Sequence, residues 1–120
     1  MDVEEITYAI IGAAMRVHNE IGPGLRKKPY ENALCHDLDL EHFDFQQQPR
    51  FPIVYREKPV GDCIPDIVVA DQIVVEVKAI DSIGDNEIGQ VLNYLRIANL
   101  KVGLIVNFRN SKLEWKRVAR

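Results

Sequence analysis

Residues 65–78 read Pro65-Asp66-Ile67-Val68-Val69-Ala70-Asp71-Gln72-Ile73-Val74-Val75-Glu76-Val77-Lys78. Two runs of β-branched residues flank a short polar segment, a pattern that predicts a β-hairpin. Because side chains alternate between the two faces of a strand, Glu76 and Lys78 share a face with Val74. A carboxylate and an ammonium group beside an aliphatic neighbour are unusual in a core strand. This hairpin is therefore the first candidate for a functional site.

The length of the hairpin loop decides which residue lies opposite Glu76. If residues 70–72 form a three-residue loop, Val69 pairs with Ile73, and Asp66 then lies opposite Glu76. Directly opposed residues have Cβ atoms about 4.5–5.5 Å apart, so the two carboxylates repel each other, and burial increases that cost. A divalent cation between them removes the repulsion, and carboxylate oxygens suit Mg²⁺ or Mn²⁺. A two-residue loop would move Asp66 to the other face, so the predicted metal site depends on the turn.

Lys78 lies two residues beyond Glu76 on the same face of the strand. An ammonium group there can orient or acidify an attacking water, or stabilise the charge of a phosphoryl group. A metal ion activates the water and polarises the scissile phosphate, so the set suits hydrolysis of a phosphodiester bond. The alternative is a surface ion pair between Glu76 and Lys78, which contributes little to stability.

The flanking sequence predicts three helices and five strands. Asp2 and Glu5 fit a capping box before the first helix, and Pro29 fits the first turn of the second. The predicted helices cover residues 3–21, about 29–41 and 84–98, and the predicted strands cover 53–55, 66–69, 73–79, 102–106 and about 112–118, with a turn at 57–62. The resulting order, α-α-β-β-β-α-β-β, indicates a mixed α/β domain with a central sheet.

The composition is that of one globular domain spanning residues 1–120. The mass is 13.7 kDa, and 47% of the residues are hydrophobic and 28% are charged, which is ordinary for such a domain. No stretch approaches the roughly 18 apolar residues of a membrane span. The acidic start of the chain differs from the basic start of a secretory signal, so we expect a cytoplasmic protein. The two cysteines and three histidines show no zinc-site spacing.

Charge is distributed unevenly along the chain. The formal net charge is −3, but residues 96–120 contain seven basic residues and one acid. A basic C-terminal quarter can follow the phosphates of a nucleic acid. The alternative is a solvated strand and tail, and charge alone does not separate these two interpretations.

Several motifs resemble those of a known family. Asp66 after Pro65, followed by Glu76-Val77-Lys78, resembles the signature of the PD-(D/E)XK nuclease superfamily, and the flanks resemble the bacterial GxxExxY family within it. The flanking matches are Gly22-Pro23-Gly24-Leu25, Tyr30-Glu31-Asn32-Ala33-Leu34, Val75-Glu76-Val77-Lys78-Ala79, Gln90-Val91-Leu92-Asn93-Tyr94-Leu95 and Val102-Gly103-Leu104-Ile105-Val106-Asn107-Phe108. Tyr30 matches the family tyrosine; taken alone, it is typical of a core aromatic residue.

The resemblance implies a restriction-endonuclease-like α-β-β-β-α-β core, with a central mixed sheet flanked by helices, and a site for Mg²⁺ or Mn²⁺. By position it makes Asp66 and Glu76 metal ligands, with the Val77 carbonyl as another. It makes Lys78 the catalytic lysine and Gln90 the glutamine that the superfamily often places beside its active site. Without the resemblance, Gln90 would be interpreted as a helix-surface amide.

The chain departs from the family at one position. The glutamate of the family name corresponds here to Lys27, within the basic run Arg26-Lys27-Lys28. In this superfamily an acid of the first helix commonly completes the metal site. Glu31, on the same side of a helix as position 27, completes the predicted metal set, and Glu20 is the alternative. Direct contact of the basic run with phosphate and a decayed metal site are the other interpretations, and Pro29 predicts a late start of the helix.

Three functions compete on this sequence. The first is an Mg²⁺-dependent nuclease acting on DNA or RNA. The second is a nuclease fold that no longer cleaves and serves as a nucleic-acid-binding or protein-interaction module. The third is a structural or oligomerisation domain. Because so small a domain offers little surface for gripping a duplex, we also predict a homodimer that pools two basic patches, with apolar runs near the C-terminus at the interface.

Overall fold

A computed structural model describes all residues from 1 to 120. The three helices are α1 (Val3–Ile21), α2 (Lys27–Leu40) and α3 (Asp85–Ala98). The seven strands are β1 (Phe45–Gln47), β2 (Phe51–Tyr55), β3 (Lys58–Cys63), β4 (Ile67–Val69), β5 (Ile73–Lys78), β6 (Val102–Asn107) and β7 (Glu114–Ala119). No helix among them is both long enough and apolar enough to cross a membrane.

Five strands form the central sheet, in the order β1-β4-β5-β6-β7. Only β5 and β6 are parallel, and α3 connects them, because parallel neighbours need a crossover connection. The predicted mixed α/β fold with a central sheet is thus confirmed. The apolar run at 102–106 is buried along its length, as predicted for a strand covered on both faces. It is therefore not available as the interface proposed for the C-terminal region.

The helices cover opposite faces of this sheet. Ile73, Val75 and Val77 of β5 pack in the larger core cluster with α1 and α2. Val74 packs in a second cluster with Val91 of α3. The alternation predicted along β5 is therefore confirmed, and Glu76 and Lys78 belong to the α3 side.

The connection between α1 and α2 is tied down by one hydroxyl group. The predicted capping box starts α1, with the Glu5 amide donating to Asp2 Oδ1 at 2.8 Å. After α1 ends, Tyr30 donates its hydroxyl to the Gly22 carbonyl at 2.6 Å and accepts from the Leu25 amide. Tyr30 is fully buried, and its ring stacks on Phe108 at 4.6 Å. These contacts fix the start of α2 relative to the sheet.

Two boundary predictions are wrong. Residues 57–62 form most of a strand, because the turn is confined to Arg56 and Glu57, both with positive φ. Two such residues make the tight loop of a hairpin, and pairing with β2 overrides the turn propensity of Pro59 and Gly61. Helix α2 does not start late, because the first four N–H groups of a helix have no intrahelical partner, so proline fits its third position.

Candidate active site

The hairpin register places two acids together, as the sequence predicted. Val69 pairs with Ile73 across the three-residue loop, and Ile67 pairs with Val75. One step further, the Asp66 amide donates to Glu76 Oε1 at 2.8 Å. The Val77 amide donates to Asp66 Oδ2, also at 2.8 Å. Just before β4, hydrogen bonds from backbone amides to carboxylates therefore take the place of the backbone-to-backbone hydrogen bonds between β4 and β5. The two strands separate at this point, where the two carboxylates lie.

Both carboxylates are buried. Asp66 is 5% exposed and Glu76 is 2% exposed. Burial, and then the charge of Asp66, raise the pKa of Glu76 to about 8, although the Asp66 amide and Lys27 act in the opposite direction. Burial and the neighbouring negative charge thus both favour the protonated form of Glu76. The surface ion pair between Glu76 and Lys78 is not formed.

Lys27 is the cation that contacts this pair. Its Nζ lies 2.9 Å from Asp66 Oδ1, and the lysine side chain is 41% exposed. Burial lowers the pKa of Lys27, but the Asp66 hydrogen bond and the charges of Asp66, Glu76 and Glu31 outweigh burial and raise it. The sequence singled out position 27 only as a departure from a family pattern, and it carried no signal for this contact.

Lys78 is held from the α3 side. Its Nζ donates to Gln90 Oε1 at 2.7 Å, and Gln90 Nε2 donates to the Tyr94 hydroxyl at 3.0 Å. The structure therefore brings Gln90 beside Lys78, on a partly exposed face of α3. The hydrogen bond to Tyr94 was not foreseen, although a separation of four residues on a helix places such side chains together.

Glu31 is fully buried on α2, one helical turn after Lys27. Its Oε2 accepts from Lys28 Nζ at 3.1 Å, Gln47 Nε2 at 2.8 Å and Gln48 Nε2 at 3.2 Å, whereas Oε1 has no partner. Burial raises the pKa of Glu31, but these three hydrogen bonds outweigh burial and lower it.

The predicted metal ligands are not assembled into one cluster. No group of three acidic, histidine or cysteine side chains is close enough to hold a metal ion. Asp66 and Glu76 are together, but Glu31 turns one oxygen to its own donors. Glu20, the alternative acid, is exposed and lines a different groove, with Arg16 and His36 between α1 and α2.

A basic groove of about 490 Å³ is connected to the carboxylates through Lys27, which lines the groove and contacts Asp66. Its charged lining consists of Arg26, Lys27, Lys78 and Arg109, and no acid lines it. Arg109 is the only member of the basic C-terminal quarter in this lining. Other members have structural partners: Arg117 pairs with Glu4, and Arg120 donates to the Leu100 carbonyl. The groove thus gathers positive charge from three separate parts of the chain.

Comparisons with known proteins agree with this architecture. A family model described as the PD-(D/E)XK nuclease superfamily matches residues 4–118. No curated protein sequence matches the chain. The crystal structure of SSO0001 is similar, with a TM-score of 0.61 and 15% identity, over 75% of this chain and 48% of that one. An alkaline exonuclease (LHK-Exo) from Laribacter hongkongensis gives a TM-score of 0.58 and 11% identity, over 78% and 54% respectively.

This chain therefore spans about half the length of each structure. At such identities the likeness concerns the fold alone. Together with the family match, it confirms the predicted restriction-endonuclease-like architecture.

Proposed function

The chain belongs to the PD-(D/E)XK nuclease superfamily, and we propose that it is a nuclease that hydrolyses phosphodiester bonds in DNA or RNA with bound Mg²⁺ or Mn²⁺. One observation carries the proposal: two buried carboxylates, Asp66 and Glu76, lie together at an opening of the sheet beside a groove lined by four cations. A groove of this charge suits a polyanionic substrate.

The residues present fit a divalent cation. Mg²⁺ is commonly bound through one or two carboxylates and several waters. Burial and then repulsion by Asp66 raise the pKa of Glu76, and added positive charge offsets both effects. Asp66 and Glu76 would hold the ion. The N–H and C=O of a strand residue point toward the same neighbour, so the Val77 carbonyl lies on the side where its amide meets Asp66. When bound, the metal supplies a nucleophilic water and polarises the phosphate.

We propose Glu31 as the acid that supplements this pair, directly or through water. Its unpartnered Oε1 supports the assignment, because an orphaned buried carboxylate oxygen calls for an explanation. Glu31 also follows Lys27 by one helical turn, on the helix from which the family glutamate would come. The motifs around Gly22, Tyr30 and Gln90 support membership of the GxxExxY branch, with Lys27 as its departure.

The remaining residues bind and orient the substrate. Lys78 lines the groove, and its ammonium group is held by Gln90, from where it would orient the attacking water and stabilise charge on the phosphoryl oxygens. Gln90 acts as a positioning residue, because it holds Lys78 and is itself held by Tyr94. Arg26 and Arg109 are placed to bind flanking phosphates, contacts that position a nucleic acid without reading its sequence.

A second function is favoured by one observation. The ion pair between Lys27 and Asp66 neutralises the site without a metal, as expected of a nuclease fold that binds nucleic acid or a protein and no longer cleaves.

A homodimer that pools two basic grooves fits either function. Sedimentation at micromolar concentration tests the dimer, and a monomer there would contradict it.

Cleavage assays separate the two functions. Labelled single-stranded and duplex DNA and RNA are incubated with Mg²⁺, Mn²⁺ or EDTA. We compare wild type with Asp66→Asn, Lys78→Ala and the control Asp71→Asn, which removes an exposed acid from the loop of the same hairpin. The nuclease proposal expects metal-dependent cutting that is lost in the first two variants and kept in the control. Folded wild type that binds nucleic acid and cuts nothing would support the second function.

A further inference from the structure

We propose that Lys27 is a built-in competitor for the metal. In the metal-free protein its ammonium group pairs with Asp66, and a divalent ion binds by displacing it into the basic groove. This inference rests on the proposed metal-dependent function of the same site, and it assigns a role to the residue at which the chain departs from its family.

The hydrogen bonds of Asp66 favour this competition, because each of its two oxygens already has a donor. Its Oδ2 is committed to the Val77 amide, and its Oδ1 accepts from Lys27 Nζ at 2.9 Å. A metal ion that binds Asp66 through Oδ1 therefore meets the ammonium group at the same atom. Two cations on one buried oxygen repel each other. Asp66 therefore binds the metal ion more tightly once Lys27 has left.

The lysine has a route by which to leave. Its side chain is 41% exposed although its partner is buried, and a flexible four-carbon stem lets the ammonium group move over several ångströms. Lys27 itself lines the groove of about 490 Å³. In that groove a substrate phosphate offers the displaced ammonium group a new partner, alongside Arg26 and Arg109.

A purely structural ion pair would behave differently. If Lys27 only fastened α2 to β4, its removal would lower stability and leave the affinity for metal unchanged. If it competes, its removal raises that affinity, because the ion no longer has to displace a resident cation. The sign of the change in metal affinity therefore separates the two roles.

The test measures Mn²⁺ binding to the full chain in the absence of nucleic acid. The electron paramagnetic resonance signal of free Mn²⁺ reports how much of the metal remains unbound. Lys27→Gln is expected to bind Mn²⁺ about tenfold more tightly than wild type, within the usual range of coupling between two sites. Lys27→Arg, which keeps the charge, is expected to stay close to wild type. Arg26→Gln is the matched control. Arg26 is exposed, adjoins Lys27 in the sequence and forms no ion pair, so the variant removes a nearby positive charge without touching the carboxylates.

Equal affinities of wild type and Lys27→Gln would overturn the competition and leave the proposed nuclease intact. An equal gain in Mn²⁺ affinity in Arg26→Gln would also overturn it, because the loss of any nearby positive charge would then be sufficient. Absence of Mn²⁺ binding in every folded variant would overturn the proposed metal site as well, which distinguishes the two failures.

A measurement on wild type keeps the inference testable if Lys27→Gln does not fold. The ammonium resonance of Lys27 is followed by ¹H–¹⁵N NMR while Mg²⁺ is added, and the amide resonances of Asp66 and Val77 report metal binding. Loss or displacement of the Lys27 signal together with the amide shifts supports the competition. Amide shifts with an unchanged Lys27 signal would overturn it.

Discussion

Two glutamates of this protein are almost equally buried and behave in opposite ways. Glu76 is 2% exposed and its pKa is raised to about 8, whereas Glu31 is fully buried and its pKa is lowered. Glu31 receives three N–H donors, one of them the Lys28 ammonium group. Glu76 receives one backbone amide and faces a second carboxylate. Burial sets the cost of the charge in both places, and the partners decide whether the site is satisfied or needs a cation.

Of the two glutamates, Glu76 is the one whose loss we expect to affect cleavage most. We expect Glu76→Gln to lower metal-dependent cleavage at least about 100-fold, because even residues that only support a metal ligand are worth 10–100-fold. Steady-state cleavage of the preferred substrate measures this loss. Circular dichroism must show a folded variant, and unchanged cleavage would remove Glu76 from the metal site.

The same comparison predicts a different result at Glu31. We expect Glu31→Ala to destabilise the fold by about 2 kcal/mol, because it removes a fully buried carboxylate that accepts three hydrogen bonds, and hydrogen bonds to charged groups contribute about that much. Part of the Lys28 contribution is screened by solvent, since that side chain is 56% exposed. Urea unfolding at pH 7 measures the change. A loss below about 0.5 kcal/mol would show that Gln47 and Gln48 find other partners.

The opposite pKa shifts predict opposite pH dependences. The raised pKa of Glu76 means that its contribution to stability is full below about pH 4.5 and is lost as the pH rises through about 8. The lowered pKa of Glu31 means that its contribution is present above its unfolded value and is lost on acidification. Unfolding free energies measured from about pH 2.5 to pH 9 test both signs.

Two changes sharpen that pH experiment. Glu76→Gln is expected to abolish the alkaline decline, and Mg²⁺ is expected to stabilise wild type more at pH 8 than at pH 5, because binding requires the deprotonated carboxyl. An alkaline decline that persists in Glu76→Gln would assign it to another group.

The smallest expected effect concerns a charge that contacts neither glutamate. Arg109 lines the groove and has only an exposed partner, Asp81. We expect Arg109→Gln to weaken nucleic-acid binding several-fold and to lower the slope of log K against log salt by about one. Fluorescence anisotropy at several salt concentrations measures this slope. An unchanged slope would place the nucleic acid outside the groove.

The parts of the fold that sequence predicts are those set by local pattern. The turn at residues 70–72 fixed the register of β4 and β5, and that register brought Asp66 to Glu76. The capping residues and the apolar spacing likewise located α1 and α3. In contrast, β3 was missed because Pro59 and Gly61 favour turns locally, and only pairing with β2 makes them part of a strand.

The parts of the site that sequence missed depend on distant segments. Lys27 meets Asp66 across a long sequence separation, from a helix whose preceding loop is held by the Tyr30 hydroxyl. Glu31 is satisfied by Gln47 and Gln48, whose position depends on the pairing of β1 with β4. No spacing rule along the chain encodes such contacts, since they require the sheet to be assembled first.

The basic groove belongs to a chain whose net charge is −3. Positive charge on one side and net negative charge over the remainder give the molecule an electric dipole. Near a polyanion this dipole produces a torque that turns the groove toward the phosphates while the other surfaces are repelled. At physiological salt the field fades over about 8 Å, so this orientation acts in the last stage of approach. The arrangement of charge therefore selects the orientation of each encounter before any contact forms.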